Sequence, residues 1–163
     1  MKNSFFPFAV VAVMAAAWAG WYFTPLPPDP PPAKAHWLTD FAAASAQAKA
    51  EHKPLLINFT GSDWCASCLL IDRYILNTQA FKDYADQHLV LLTADFPVKN
   101  QLPPALADQN KALTDKFQIL HLPAMTLLDS QGQPLFQSYG YVRGTTADTL
   151  IDRIQRATAT SGS

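Results

Sequence analysis

The chain has 163 residues, a formal net charge of −1 and 49% apolar residues. This length suits one domain rather than two, and the balanced charge excludes the basic surface of a typical nucleic-acid-binding protein. Its two cysteines, Cys65 and Cys68, would close a loop too short to stabilise a small secreted fold, so the pair is better suited to chemistry.

The first 24 residues are predicted to direct the chain to a membrane. Residues 5–23 contain no charged side chain, and a helix of that length spans about 28 Å, close to the hydrocarbon thickness of a bilayer. Lys2 before this stretch favours a cytoplasmic N-terminus, which sends the rest of the chain outside. Two alternatives are open, an uncleaved signal anchor and a cleaved signal peptide. An interfacial aromatic belt favours the anchor: Trp18, Trp21 and Tyr22.

A proline-rich linker follows at residues 25–35. Such a composition is typical of a stiff polyproline II spacer, which would hold a domain away from the membrane surface. The folded domain is predicted over residues 36–158. Residues 159–163 are small and polar and are predicted to form a frayed tail.

Within the domain, helical and strand-like segments alternate. Thr39 or Asp40 is predicted to cap the first helix, and Thr145 or Thr146 the last. Short apolar runs between turn residues are typical of buried strands. The predicted helices are 40–52, 65–76, 78–86, 102–117 and 146–157, and the predicted strands are 55–59, 89–94, 124–128 and 135–139.

This order of segments predicts an α/β fold. The early alternation implies parallel strands joined by right-handed crossovers, and a closing hairpin through residues 130–133 adds antiparallel strands. The expected architecture is a mixed central sheet of about four strands with helices on both faces, preceded by the N-terminal membrane helix.

The segment Trp64-Cys65-Ala66-Ser67-Cys68 is the strongest functional signal, because it lies at a predicted strand-to-helix junction. The spacing brings both sulfurs to one side of the first helical turn, where unpaired N–H groups stabilise a thiolate on Cys65. A thiolate is the species that attacks a disulfide, and Cys68 is placed to attack the resulting mixed disulfide. Cys65 and Cys68 are therefore the predicted catalytic residues. Trp64 is predicted to be a large apolar surface for a partner protein, the alternative being a core residue.

Two segments carry a family resemblance: residues 59–68, Phe-Thr-Gly-Ser-Asp-Trp-Cys-Ala-Ser-Cys, and residues 120–129, Leu-His-Leu-Pro-Ala-Met-Thr-Leu-Leu-Asp. They resemble the thioredoxin superfamily, and within it exported bacterial thioredoxin-like proteins and the C-terminal domain of DsbD-type disulfide reductases. The resemblance covers about residues 38–157. It implies a thioredoxin-like fold and a thiol–disulfide oxidoreductase acting on protein disulfides. The DsbD-like features and the membrane tether favour the reductase direction.

The resemblance also implies a platform for the substrate. In the family, the proline matching Pro123 is cis and faces the cysteines, and the backbone matching Leu122 pairs with an incoming substrate strand. Trp64, Leu122 and Pro123 are therefore the predicted substrate-binding residues. Asn58 occupies the position at which thioredoxins have a buried acid that moves protons from the second cysteine. Because an amide does not titrate, that proton route is either absent here or replaced by water.

Two further residues join Asn58 as candidate modulators of the cysteines. His121 lies two residues before Pro123 and is a candidate to stabilise the Cys65 thiolate, the alternative being a loop histidine without a role. Asp63 would raise the pKa of Cys65 if it lay close, the alternative being a solvated loop acid. No cofactor is expected beyond the redox-active disulfide, and no metal site is predicted.

The expected partners are protein thiols and disulfides, an upstream membrane electron donor, and the membrane itself through residues 5–23. No nucleic-acid partner is expected, and the chain is predicted to be a monomer. Its domain would face the periplasm or exterior from a single-pass anchor in the bacterial inner membrane, or be soluble in the periplasm after signal cleavage. Two other classes of function stay open: a zinc- or copper-binding module using Cys65, Cys68 and His121, and a redox-inactive interaction domain.

Overall fold

The computed structural model describes residues 35–161, in which helices and strands alternate. The strands are β1 (Trp37–Leu38), β2 (Leu55–Thr60), β3 (Val90–Asp95), β4 (Ala124–Leu128) and β5 (Pro134–Tyr139). The helices are α1 (Phe41–Glu51), α2 (Ala66–Ile71), α3 (Gln79–His88), α4 (Pro104–Phe117) and α5 (Ala147–Ser161). A π-helical turn, Asp72–Leu76, follows α2 directly.

The predicted membrane segment at residues 1–24 lies outside the described residues, together with the proline-rich linker up to residue 34 and the last two residues of the predicted tail. Within residues 35–161, none of the helices is long and apolar enough to cross a bilayer. The membrane helix therefore stays a prediction from the sequence.

The strands form one mixed sheet in the order β1-β3-β2-β4-β5. β3 pairs in parallel with β1 and β2, whereas β4 pairs antiparallel with β2 and β5. The mixed α/β sheet is confirmed, but the expectation of about four strands is wrong, because residues 35–161 contribute five strands to the sheet. The missed strand, β1, is two residues long. A strand of two residues has no detectable alternation of apolar and polar side chains, and only its pairing with β3 defines it.

Helices cover both faces of this sheet, as predicted, and divide the core into two clusters. α1 and α4 cover one face through Ala44, Ala48, Leu113 and Phe117. The other face is covered by α2, the π turn, α3 and α5, through Ile71, Ile75, Phe81, Ala85, Leu150 and Ile154. The sheet is therefore the middle layer of three.

β2 lies at the centre of the sheet, and all of its residues are buried. Side chains alternate across a strand, so Leu55 packs with the α1 and α4 cluster and Leu56 with the opposite one. Asn58 and Thr60 share the face of Leu56. Two polar side chains are consequently buried on the α2 side of the sheet, near the end of β2.

Capping side chains begin the first and last helices where the sequence predicts. Asp40 accepts a hydrogen bond from the backbone N–H of Ala43 at the start of α1, at 2.9 Å. Thr146 accepts one from the N–H of Thr149 in the first turn of α5, at 3.4 Å. Each cap satisfies an N–H group that has no partner inside its helix.

Two predicted helix ends differ from the structure. α5 continues to Ser161 rather than ending near residue 157, so the predicted frayed tail is helical at 159–161. The predicted helix 65–76 changes at Asp72 into the π-helical turn, in which the N–H of Asn77 bonds to the Asp72 carbonyl at 2.8 Å. In a π turn the backbone hydrogen bond joins residues five apart instead of four, and no particular side chain is required. The residue pattern therefore does not predict it.

Substitution of Phe81 tests the packing on the α2 side of the sheet. Its side chain is fully buried, and its ring stacks on Trp37 of β1 with 6.4 Å between the centroids. We predict that Phe81→Ala lowers the free energy of unfolding by about 3–5 kcal/mol, the usual effect of truncating a buried phenylalanine. Urea denaturation followed by circular dichroism measures the change.

The control for this substitution is Gln87→Ala, which alters an exposed residue of the same helix. It should change the free energy of unfolding by less than about 0.5 kcal/mol. A Phe81→Ala effect as small as that of the control would contradict the packing of α3 against the sheet.

Candidate active site

The two cysteines lie at the start of α2 and are joined in a disulfide with 5.2 Å between their Cα atoms. Cys65 is the N-cap residue of the helix, and the backbone N–H of Cys68 donates to its Sγ at 3.2 Å. The turn before the helix is held by the Cys65 N–H, which donates to the Gly61 carbonyl at 2.9 Å. The structure therefore places both cysteines at the predicted strand-to-helix junction.

Trp64 lies on the surface beside the disulfide rather than in the core. The residue is 52% exposed, and its indole Nε1–H donates to the Phe96 carbonyl at 2.7 Å. The ring lies so close to Gly61 that a Cβ added there would come within 2.6 Å of the indole. Glycine at position 61 thus allows the indole to lie against the backbone and keep its other face open to solvent.

The Asp63 carboxylate binds the loop that follows β3, and not the cysteines. It accepts hydrogen bonds from the backbone N–H groups of Val98, Lys99 and Asn100, at 2.9, 2.7 and 3.2 Å. These bonds, led by the one from Val98, lower the pKa of Asp63 below that of an ordinary aspartate. Its predicted role as a modulator of Cys65 has no hydrogen bond to support it, whereas its role in the loop is clear.

Pro123 and the cysteines lie at the same end of the sheet, where β2 ends and β4 begins. Pro123 directly precedes β4, and the first residue of β4, Ala124, pairs with Phe59 near the end of β2. The Leu122–Pro123 peptide bond is cis, as the resemblance implies. The Pro123 carbonyl accepts a hydrogen bond from the Gly140 N–H at 2.9 Å, which ties this segment to the end of β5.

His121 and Leu122 complete the segment before Pro123. The His121 ring lies against the Tyr139 ring, with 4.8 Å between the centroids. Leu122 is half-buried and packs against the cluster on the α1 and α4 face. The histidine therefore has an aromatic contact on β5, and its predicted action on the Cys65 thiolate stays a prediction.

The structure places Asn58 next to Asp72, a residue that the sequence motifs did not indicate. The Asn58 side chain hydrogen-bonds the carboxylate of Asp72, the first residue of the π turn. Burial raises the pKa of Asp72, the charge of Asp95 raises it further, and the Asn58 hydrogen bond lowers it. The spacing contained a signal, because Asp72 follows Cys68 by four residues and so lies on the same side of a helix.

A metal site has little support in the described part of the chain. Among residues 35–161, no three His, Cys, Asp or Glu side chains come together in an arrangement that could hold a metal ion. The trio proposed for zinc or copper, Cys65, Cys68 and His121, is not such a group.

Comparison with known proteins gives one family match and several relatives. A family model described as a thioredoxin-like domain matches residues 41–155. The chain is 35% identical over 95 residues to the disulfide bond reductase DsbH of Chlamydia pneumoniae, which covers 58% of this chain and 57% of that protein. It is 31% identical over 88 residues to the thiol:disulfide interchange protein DsbD of Salmonella typhi, covering 54% of this chain and 14% of that protein.

A solved structure of a DsbH oxidoreductase superposes with a TM-score of 0.69 at 28% identity, covering 83% of this chain and 91% of the other. The family match and these relatives confirm the resemblance carried by the two sequence segments. The chain spans a little over half the length of the C. pneumoniae protein that it matches.

The carboxylate of Asp63 is predicted to hold the loop after β3 in place. Asp63→Ala removes the acceptor for three backbone N–H groups. Hydrogen exchange at Val98, Lys99 and Asn100 should then accelerate by a factor of about 2–10, the range expected for the loss of a hydrogen bond. Exchange measured by NMR, with Asp108→Ala on the exposed surface of α4 as control, tests this.

The same bonds predict a pH dependence of loop protection. The pKa of Asp63 is lower in the folded than in the unfolded chain, so the stabilisation is present above the unfolded value of about 3.9 and is lost as the pH falls through the folded one. Loop protection in the wild type should therefore decrease in acid, while Asp63→Ala should show no such change. Equal protection in the two proteins at neutral pH would contradict this role for Asp63.

Proposed function

Because the chain belongs to the thioredoxin-like domain family, we propose that it is a thiol–disulfide oxidoreductase that reacts through Cys65 and Cys68. The disulfide between these residues at the start of α2 carries the proposal. A bridge across so few residues contributes little to stability, so chemistry is the better account of it. The names of the relatives from C. pneumoniae and S. typhi also refer to disulfide chemistry.

The two cysteines have different roles in the proposed reaction. The Cys65 thiolate attacks one sulfur of a partner disulfide, which breaks that bond and leaves a mixed disulfide on Cys65. Cys68 then attacks Cys65 Sγ, releases the partner as a dithiol and forms the Cys65–Cys68 disulfide. This order is supported by the exposure of the two residues, 5% for Cys65 against 1% for Cys68. The Cys68 N–H also points at Cys65 Sγ, where it favours negative charge.

The proposed substrate is a protein, bound at Trp64, Leu122 and Pro123. An extended partner segment would pair with the backbone at Leu122, as strands add to an open sheet edge. Large apolar side chains in the loops at this end of the sheet are exposed, namely Trp64, Val98, Leu120 and Val142. Apolar surface left open around a reactive group is typical of a site that binds another protein.

We propose that the protein works as a reductase outside the cytoplasmic membrane. The name of its C. pneumoniae relative supports the direction, and the uncharged stretch at residues 5–23 supports export. A reductase must be reduced again after each turnover, so an upstream membrane electron donor belongs to the proposal. One chain contains both cysteines and therefore suffices as a monomer. It would be anchored in the bacterial inner membrane, or be soluble in the periplasm after signal cleavage.

Serine substitutions of the cysteines test the mechanism. We predict that Cys65→Ser abolishes the reduction of insulin disulfides, because the thiol that makes the first attack is lost and the remaining Cys68 is more deeply buried. Cys68→Ser should keep the first attack but accumulate covalent adducts with the substrate, because the mixed disulfide is no longer resolved. Turnover is measured with dithiothreitol as electron donor, and adducts are detected by non-reducing gel electrophoresis.

The double substitution Cys65→Ser with Cys68→Ser is the control and should form no adduct. Normal turnover by Cys68→Ser would sink the assignment of Cys68 as the resolving thiol. Adducts formed by Cys65→Ser alone would show instead that Cys68 is the nucleophile.

A further inference from the structure

A cavity of about 170 Å³ lies on the α2 side of the sheet, between the π turn, the end of β5 and the start of α5. Apolar side chains form its walls: Ile71 at the end of α2, Ile75 in the π turn, Met125 on β4 and Leu150 on α5. Protein interiors have few voids larger than a water molecule. Since an apolar cavity of about 150 Å³ takes up benzene, this one is large enough for a leucine or phenylalanine side chain.

The mouth of the cavity opens to solvent beside the loop that follows β5. Gly140 and Val142 of that loop are exposed, as is Thr149 on α5, and all three line the cavity. The loop lies between two glycines with positive φ, 71° at Gly140 and 89° at Gly144, a conformation that residues with a Cβ rarely adopt. The two glycines let the loop turn sharply from β5 to α5, and a side chain of another protein can enter beside it.

The cavity adjoins the proposed binding site for the substrate backbone. The Gly140 N–H donates to the Pro123 carbonyl at 2.9 Å, which extends the pairing of β4 with β5 by one residue. Side chains two residues apart on a strand point to the same face, so Pro123 and Met125 both face α2, about 7 Å apart along the strand. A partner segment held at Pro123 therefore lies next to the cavity wall that Met125 forms.

The cavity also lies close to the disulfide. Ile71 follows Cys68 by three residues, and both are buried beneath α2, so Ile71 lies about 4.5 Å farther along the helix. An extended chain advances about 3.4 Å per residue. A residue two or three positions from a partner cysteine bound to Cys65 is therefore within reach of the cavity.

We propose that this cavity is a specificity subsite, which binds an apolar side chain of leucine to phenylalanine size located within about three residues of the reacting cysteine in the partner protein. The inference rests on the proposed thiol–disulfide exchange and adds a basis for choosing among partners. An apolar side chain in a well-packed pocket is a frequent anchor of protein interfaces. Met125 suits this role because a methionine side chain adapts to different apolar groups, whereas a charged side chain would lose its hydration in the cavity.

A series of short peptides tests the subsite in the reduced full-length protein. Each peptide has one cysteine, joined to thionitrobenzoate in a mixed disulfide, and alanine elsewhere, with a leucine placed at each nearby position in turn. Attack of the Cys65 thiolate on the peptide sulfur releases thionitrobenzoate, whose absorbance gives the rate by stopped flow. We expect one leucine position to raise the second-order rate constant about tenfold over the all-alanine peptide, because the larger side chain buries more apolar surface. Aspartate at that position should abolish the gain.

Two tryptophan substitutions on α5 form a matched pair. Thr149→Trp places an indole at the mouth of the cavity and should abolish the leucine preference, because the indole takes the space that leucine would fill. Asp148→Trp adds the same side chain at an exposed neighbouring position outside the cavity lining and should keep the preference. The preference is a ratio of two rates in one variant, so a general loss of reactivity cancels.

Cross-linking locates the bound side chain directly. The peptide with leucine at its preferred position is remade with photo-leucine there, joined to Cys65 of the Cys68→Ser variant in a mixed disulfide, and irradiated. We expect mass spectrometry to find cross-links to the cavity walls at Ile71, Met125 or Leu150.

Three results would overturn the inference: leucine peptides that all react at the rate of the all-alanine peptide, a leucine preference retained in full by Thr149→Trp, or cross-links confined to Trp64 and Leu122. Failure of the proposed function looks different, because the wild type would then react with every peptide no faster than Cys65→Ser. A wild type that reacts rapidly but without a leucine preference refutes only the subsite.

Discussion

The antiparallel pairing of β2 with β4 is the constraint on which the site depends. Phe59 near the end of β2 lies opposite Ala124 at the start of β4. The segment that follows β2 toward Cys65 and the segment that precedes β4 at Pro123 therefore meet at one end of the sheet. The cysteines and the proline are far apart in sequence, and backbone hydrogen bonds bring them together. The apolar contacts of α2 with the sheet then hold the disulfide over that end.

The loops at this end are held by hydrogen bonds to two carboxylates and one indole. Asp63 binds the backbone after Phe96, Asp95 binds the backbone and hydroxyl of Ser62, and Trp64 binds the Phe96 carbonyl. These bonds join the turn before Cys65 to the loop after β3. Hydrogen bonds that involve an ionised group are stronger than neutral ones. The loops can therefore expose apolar side chains while their backbone stays ordered.

Features that depend on neighbouring residues could be predicted from the sequence. The apolar run of β2, the Asp40 cap and the position of Cys65 at a helix start follow from residue type and spacing, and the structure confirms each. What could not be predicted depends on contacts distant in sequence. β1 exists through its pairing with β3, and the carboxylate of Asp63 is directed to the loop by backbone groups far along the chain.

The surroundings of Asp72 in the candidate site could not be predicted from the sequence either. An amide at position 58 is visible in the sequence, but the contact between Asn58 and Asp72 requires the helix and the strand to be packed together. The spacing from Cys68 alone does not distinguish a half-buried acid from a solvated one. The packing of the π turn decides this, because it buries part of Asp72 beside Asn58.

The reduction potential of the Cys65–Cys68 couple tests the central claim most directly. The purified full-length chain is equilibrated with glutathione or dithiothreitol buffers of known potential, and the oxidised fraction is measured by thiol labelling. A reversible two-electron couple of about −270 mV, the value of thioredoxin, is the result predicted for a reductase supplied by an upstream donor. A value of about −120 mV, typical of a strong oxidant, would contradict the reductase direction, and the absence of any reversible couple would contradict the oxidoreductase itself.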